Sequence, residues 1–318
     1  MCSRLVKGVM DRKSLRVKSK TVNCCLHSGI SNLNSTASFL TWNNGNIWSK
    51  LDRAMVNNAW LLAGFFGDAV FLPSCCYSDH FPCIISLFQA VDLVKSFSYG
   101  EIKEALFDID NDKSPEPDGY SSFFFKKAWH VVGNDVCGVV EEFFSSSSLL
   151  KKINHSVVVL VPKSTHAPSV GDYRPISCCN VIYKIISKLL ASRLVPVMDT
   201  LVNKVQYAFI QGRCMAKNIH LAQELLRHYN RKRISPRCMV NIDLGKAYDS
   251  VHWDFLRSVL QGMNFPPVFV NWIMQCVTTT AYSIAINGNL YGFFKGKKGL
   301  RQGDPLSHFC LSFVWSIS

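Results

Sequence analysis

Cys238-Met-Val-Asn-Ile-Asp-Leu-Gly-Lys-Ala-Tyr-Asp-Ser-Val-His-Trp253 is the stretch on which the reading of this chain turns. It opens as a short apolar run with β-branched residues, the composition of a buried strand, and the run ends on Asp243. Asp249 follows, and a helix-like segment begins at Trp253. A carboxylate at the end of a buried strand costs free energy unless something pairs with it. Hard divalent cations take such oxygens readily, Mg²⁺ at a phosphate-handling site above all. A lone Asp in this position serves equally as a turn or helix cap. The rest of the chain has to decide.

Four further blocks stand around it in a fixed order. Upstream are Lys113-Ser-Pro-Glu-Pro-Asp-Gly119, then Leu160-Val-Pro-Lys163 with Asp172-Tyr-Arg-Pro-Ile-Ser177, then Gln206-Tyr-Ala-Phe-Ile-Gln-Gly-Arg213. Downstream is Gly299-Leu-Arg-Gln-Gly-Asp-Pro-Leu-Ser307. Singly each is weak; five in this order are specific. They resemble the reverse transcriptases of non-LTR (LINE-type) retrotransposons, in the form used by plants.

The resemblance implies an RNA-directed DNA polymerase that joins dNTPs to a DNA primer on an RNA template by two-Mg²⁺ chemistry. It implies that Asp243 is a catalytic metal ligand. Lys163 and Arg174 then belong to the fingers, with Arg174 gripping the triphosphate of the incoming nucleotide, a role suited to the bidentate guanidinium. Tyr248 stands where the family sets an aromatic ring against the sugar, excluding a 2′-hydroxyl by clash. Gln302 and Gly303 lie near the template base and the nucleotide, the glycine admitting close backbone approach. Two departures stand out: Glu116 replaces a usual glycine and His308 a usual proline.

Nearer the N-terminus, Ser38-Phe-Leu-Thr-Trp-Asn43, Ile47-Trp-Ser-Lys-Leu-Asp-Arg53 and Tyr77-Ser-Asp-His-Phe-Pro82 resemble the end of the apurinic-type endonuclease domain that precedes the polymerase in these elements. The resemblance assigns Asp79 and His80 to the scissile phosphate, with His80 shuttling a proton and Asp79 orienting it. The family's metal-holding Asn and Glu have no counterpart here, so these two residues are expected to be relics.

Bulk properties agree with a nucleic-acid partner. The 318 residues are 48% hydrophobic and 18% charged, which describes a chain with a core rather than a disordered one. Lys+Arg of 35 against Asp+Glu of 22 leaves +13, an excess suited to a polyanion. Basic helix residues Lys184, Lys188 and Arg193 are candidates to track template backbone, as is the loop from Arg227 to Arg237. The thirteen cysteines include adjacent pairs but no Cys-x-x-Cys, so reduced thiols in an intracellular protein are expected. No secretory signal and no membrane span are expected either, since no uninterrupted apolar run reaches about 18 residues.

The expected organisation is a poorly ordered basic segment at 1–36, an endonuclease remnant at 37–91, a helical start of the polymerase at 92–150, and fingers with a partial palm at 151–318. The fold class is α+β, an antiparallel palm sheet packed by helices, preceded by a fragment of an α/β sandwich. Strand His155–Pro162, helices over 180–202, 215–230, Trp253–Met263 and Val268–Val277, and a hairpin turned at Asn287-Gly288 fill in the polymerase part. Phe123, Phe124, Phe125 and Trp129 are expected in the core. The family's second carboxylate source is an aromatic-x-Asp-Asp hairpin, and no Asp-Asp dipeptide occurs in these 318 residues. On that ground the chain is expected to be a truncated polymerase, inactive alone, or else a non-catalytic nucleic-acid-binding remnant or a non-functional gene-model fragment.

Overall fold

The computed structural model describes residues 30–37, 40–43, 48–50, 52–57, 59–60, 65–72, 80–89, 91–111, 119–202, 206–207, 210, 213–227 and 245–317. They pack as two units that divide between Gln89 and Ala90.

The first unit is made of short strands: β1 (Ile30–Asn32), β2 (Asn34–Ala37), β3 (Trp42–Asn43), β4 (Trp48–Ser49), β5 (Met55–Asn57), β6 (Phe65–Phe71) and β7 (Cys83–Gln89). β6 is central, parallel to β2 and antiparallel to β7. Gly67, Ala69 and Phe71 alternate onto its buried face, the period-two pattern of a strand with one face covered. Ala69 and Phe71 join Ala54 and Phe81 in a small core, with Leu33 packed against it. Leu33 lies between β1 and β2. Strands of three and four residues rich in Ser and Asn leave no readable period.

The second unit opens with helices α1 (Val91–Val94), α2 (Tyr99–Phe107), α3 (Ser122–Lys127) and α4 (Trp129–Ser146). Ser98 and Glu101 form a reciprocal capping box that starts α2. After strands β8 (His155–Pro162) and β9 (Tyr173–Cys179) comes α5 (Val181–Leu201), started by the Asn180 side chain accepting from Ile182 N at 3.0 Å. Tyr183, Ile185, Ile186, Leu190 and Leu194 of α5 are all fully buried, so this helix is the spine of the unit. Then follow α6 (Ala216–Leu226), α7 (Ala247–Ser250), α8 (Trp253–Gly262), α9 (Pro267–Thr278), the hairpin β10 (Ala281–Ile286) and β11 (Asn289–Lys295), and α10 (Ser307–Ile317). Asn287 and Gly288 both take positive φ at the hairpin turn, as expected of Asn-Gly.

One expectation is overturned. The sheet, ordered β11-β10-β8-β9, is mixed rather than antiparallel, because β10 lies parallel to β8. Parallel neighbours need a long crossover, and the helices between β9 and β10 supply it.

Four of the expected placements also change. Trp129 is buried, but Phe123 and Phe124 are exposed, Phe124 lying against Tyr120. Lys188 pairs with Asp108, and Arg193 pairs with Glu101 at 2.9 Å while covering the Phe97 ring. These two cations fasten α5 to α2 and its flanks, and their charges are met inside the protein. Among the described residues no helix is long and apolar enough to cross a membrane.

Candidate functional site

The segment Gly299–Ser307 is bonded both to the chain after Asp243 and to β9. At its start, Gly299 N donates to Val251 O and Leu300 N to Tyr248 O, both at 2.8 Å. Trp253 Nε1 donates to Gly299 O at 2.8 Å. The box is thereby docked on the chain that follows Asp243. Gly299 has φ +88°, and a Cβ there would sit 3.1 Å from Tyr248 O and Asp249 Cα. Only glycine suits both the dihedral and the space.

At its middle, Gln302 O accepts from Ser177 N at 3.0 Å, which lays the Gln302–Gly303 turn on β9. Gly303 holds φ +100°, again a glycine conformation. β9 belongs to the hairpin that carries Lys163 and Arg174. The box therefore joins the Tyr248 segment to the Arg174 hairpin, and four of the anticipated residues, Tyr248, Gln302, Gly303 and Arg174, fall on elements in direct contact.

Beneath the turn lies a buried charged network that the sequence did not announce. Arg301 is 4% exposed and Asp304 6%. Arg301 Nη1 donates to Asn154 Oδ1 at 2.7 Å and to Ser156 Oγ at 3.1 Å, and Nη2 donates to Cys276 O at 2.9 Å. Its guanidinium carbon lies 3.7 Å from the Tyr183 ring centre, a cation–π contact in the dry interior. The Tyr183 hydroxyl donates to Asp304 Oδ2 at 2.7 Å, Ser187 Oγ donates to Oδ1, and Ser307 Oγ donates to Oδ2 at 3.2 Å. Burial works against the Arg301 charge, but the Asp304 carboxylate, 3.7 Å from Arg301 Nε, helps hold the guanidinium ionised. Burial also lifts the Tyr183 phenol well above its ordinary value, so it stays a neutral donor. Arg301 and Asp304 lie inside a block that marks the family; Asn154, Tyr183 and Ser187 carry no sequence signal that pairs them with it.

The fingers-like hairpin shows a different kind of charge. Asp172 Oδ2 accepts from Ser169 N at 3.0 Å and Ser169 Oγ at 2.9 Å, and these bonds hold its carboxyl below the usual range. Asp172 closes the turn and does not pair with Arg174. Lys163 Nζ donates to Gly171 O at 2.8 Å, so it buttresses the same turn. Arg174 is exposed and makes no ion pair with another described residue. Tyr248 is half-buried, and burial raises its phenol.

Asp243, Glu116 and most of the Lys113–Gly119 block lie outside the described residues, as do Arg231, Lys232, Arg233 and Arg237. Polymerases of this kind use a divalent metal ion. Among the described residues no group of three or more His, Cys, Asp or Glu side chains could hold one. Asp249 is a single exposed carboxylate on α7. The described donors do not make a metal site.

In the first unit His80 is placed and Asp79 lies outside the described residues. The partner of His80 is Asp52: both carboxylate oxygens lie 2.9 Å from His80 Nδ1. Buried Thr41 orders the pair, its hydroxyl accepting from Asp52 N at 2.8 Å, while a β-bridge joins Trp42 to His80. Asp52 stands within the Ile47–Arg53 block, whose resemblance to the endonuclease gave it no role.

With this geometry in place, comparison with known proteins finds a family match. Residues 161–315, which hold β9, the spine helix and the Gly299–Ser307 box, match the family "Reverse transcriptase (RNA-dependent DNA polymerase)", so this part of the chain carries a domain of that family. Its relatives are the proteins of non-LTR retrotransposons. It is 30% identical over 207 residues to the transposon TX1 uncharacterized 149 kDa protein of Xenopus laevis, covering 65% of this chain and 16% of that protein. It is 26% identical over 201 residues to the Pol polyprotein of the type-2 retrotransposable element R2DM of Drosophila melanogaster, covering 63% of this chain and 18% of that one. A third, the R2 Pol polyprotein of Nasonia vitripennis, is 25% identical over 231 residues, 70% of this chain and 22% of the relative. The chain thus spans less than a quarter of the length of each of these three.

Proposed function

We propose that residues 92–318 are the fingers and part of the palm of an RNA-directed DNA polymerase, the portion that receives template and incoming dNTP. The observation that carries this reading is the Gly299–Ser307 box bonded at one end to Tyr248 and Val251 and at the middle to Ser177. That single loop brings the sugar-side tyrosine, the Gln302–Gly303 turn and the Arg174 hairpin into one assembly. Arg174 supplies an exposed planar fork of donors for the triphosphate. Lys163 supports that hairpin and adds positive potential beside it. Tyr248 stands against the sugar and selects a deoxynucleotide. Gln302 and Gly303 form the surface beneath the template base. Asp243 is the carboxylate that would hold Mg²⁺, whose chemistry when bound is to acidify the primer 3′-hydroxyl and neutralise the leaving pyrophosphate.

The polymerase family uses carboxylates from two places, and these 318 residues contain no Asp-Asp dipeptide. The chain is therefore expected to retain poly(rA)–oligo(dT) without extending the primer in Mg²⁺ and dTTP. Extension by this chain but not by its Asp243→Asn form would show that a complete centre exists here. No retention of the primer–template would overturn the polymerase reading itself.

For residues 37–91 we propose a relic of the endonuclease that precedes such polymerases, with Asp79 and His80 at its former phosphate site. The Asp52–His80 pair supports this, since a carboxylate fixing Nδ1 is what orients an imidazole for proton transfer. Nicking of supercoiled plasmid is expected to be absent; nicking that disappears in His80→Ala would overturn the relic status.

A further inference from the structure

The four-stranded sheet carries a face that the polymerase reading leaves without a role at its outer edge. Strand register places Arg174 of β9, Val159 and His155 of β8, and Leu290 and Lys295 of β11 on this one face. A β-bulge between Tyr282 and Ile284 re-aims β11, and the ring of Phe293 stacks on His155 with centroids 5.6 Å apart and planes 29° from parallel. Phe293 is nevertheless 70% exposed, and neighbouring Tyr291 53%. Every residue of β11 is exposed. Exposed Lys297 and Lys298 continue directly from Lys295. In the sequence no Asp or Glu occurs between Asp254 and Asp304.

An exposed ring fixed by a stacked neighbour, set on a sheet and followed by three lysines that make no ion pair with a described residue, matches one class of ligand. Unpaired bases stack on aromatic rings whatever their identity, and lysines take the phosphates that accompany them. An apolar protein partner would gain nothing from the lysines, and it would leave them facing apolar surface at a cost.

We propose that this edge of the sheet is a single-stranded polynucleotide site, in which a base stacks on Phe293 and the backbone runs along Lys295, Lys297 and Lys298. It rests on the polymerase reading, and it extends that reading from the Arg174 end of the sheet to the opposite edge. The strand it holds is unpaired template that has not reached the Gln302–Gly303 turn. His155 sets the ring rather than contacting the base, and burial lowers its pKa.

The test uses the whole chain and 5′-fluorescein oligo(rU) and oligo(dT) of twelve nucleotides, read by anisotropy. Phe293→Ala is expected to weaken both about tenfold, the contribution of one stacked base, while Phe293→Trp retains affinity. The double variant Lys297→Ala, Lys298→Ala is expected to flatten the log Kd against log salt slope by about 1.4. A preference for oligo(rU) over oligo(dT) would identify the RNA template as occupant; equal binding would identify unpaired backbone and bases in general. Phe293 is on the surface, so unfolding does not confound the result. Unchanged affinity in Phe293→Ala, with primer–template still retained, overturns this site and leaves the polymerase reading intact. The site is overturned equally if Phe293→Ala abolishes self-association of the chain and nothing else, since the edge would then join two copies. Failure of the unaltered chain to bind any polynucleotide overturns both.

Discussion

Arg301 and Arg174 are the same residue type, both within blocks that mark the family, and they do opposite work. Arg301 is sealed in, with donors on Asn154, Ser156 and a carbonyl, its face on Tyr183 and Asp304 nearby. Arg174 is exposed on β9 and makes no ion pair with another described residue. The first shapes the loop on which Gln302 and Gly303 ride; the second, in the proposed role, is the one that meets the nucleotide. Charge inside a recognisable block is therefore not a guide to binding until burial is known.

The largest effect that follows from this contrast is on stability. Asp304→Ala leaves a buried cation short of its counter-charge and strips Tyr183 and Ser187 of their acceptor, a change of about 3–5 kcal/mol in comparable buried pairs. Urea unfolding followed by near-UV dichroism should show that loss. A shift under about 1 kcal/mol would mean that the network does not hold the loop in place. Gly299→Ala comes next, at about 1–3 kcal/mol, because a side chain would meet the Tyr248 and Asp249 backbone in a left-handed conformation. The same unfolding series reads it. Arg174→Ala should move the midpoint by less than about 0.5 kcal/mol, as exposed substitutions do.

The smallest effect is a pH dependence. Burial lowers the His155 pKa below the ordinary value of about 6.5, so the unfolded chain takes the proton more readily. The stability contributed by neutral His155 is therefore present above about pH 6.5 and is lost as pH falls below it. Thermal unfolding of the chain and its His155→Gln form, well above and well below that pH, should show a smaller acid penalty in the variant. Identical penalties would place the imidazole in open solvent.

How much of this was legible beforehand differs by the range of the interaction. The Asn287-Gly288 hairpin, the helix start at Trp253 and the apolar helix over 180–202 follow from local pattern and turn chemistry, whereas the next helix starts at Pro267, one residue before the expected Val268. The parallel pairing of β8 with β10 was not legible, because the two strands lie far apart in the chain and alternation is silent about direction. Asn154 and Arg301 meet across a similar separation for the same reason. Asp52 and His80 both stand in blocks that resemble the endonuclease, yet only the fold shows that they touch; proximity in sequence favoured Asp79. Lys188 and Arg193 read as a basic face because nothing in α5 announces Asp108 and Glu101 as their partners. Long-range polar pairing is where a single sequence falls silent.

If the contrast between the two arginines holds, the exposed one meets the nucleotide and the buried one does not. The direct measurement is binding of labelled dTTP to the chain with poly(rA)–oligo(dT) bound, for the unaltered chain and for Arg174→Ala, with urea midpoints recorded alongside. Affinity is expected to fall about tenfold or more while the midpoint stays, because charge-assisted bonds to phosphate are lost and no packing is. Equal affinities, or a fall in affinity matched by a fall in stability, would contradict that role for Arg174.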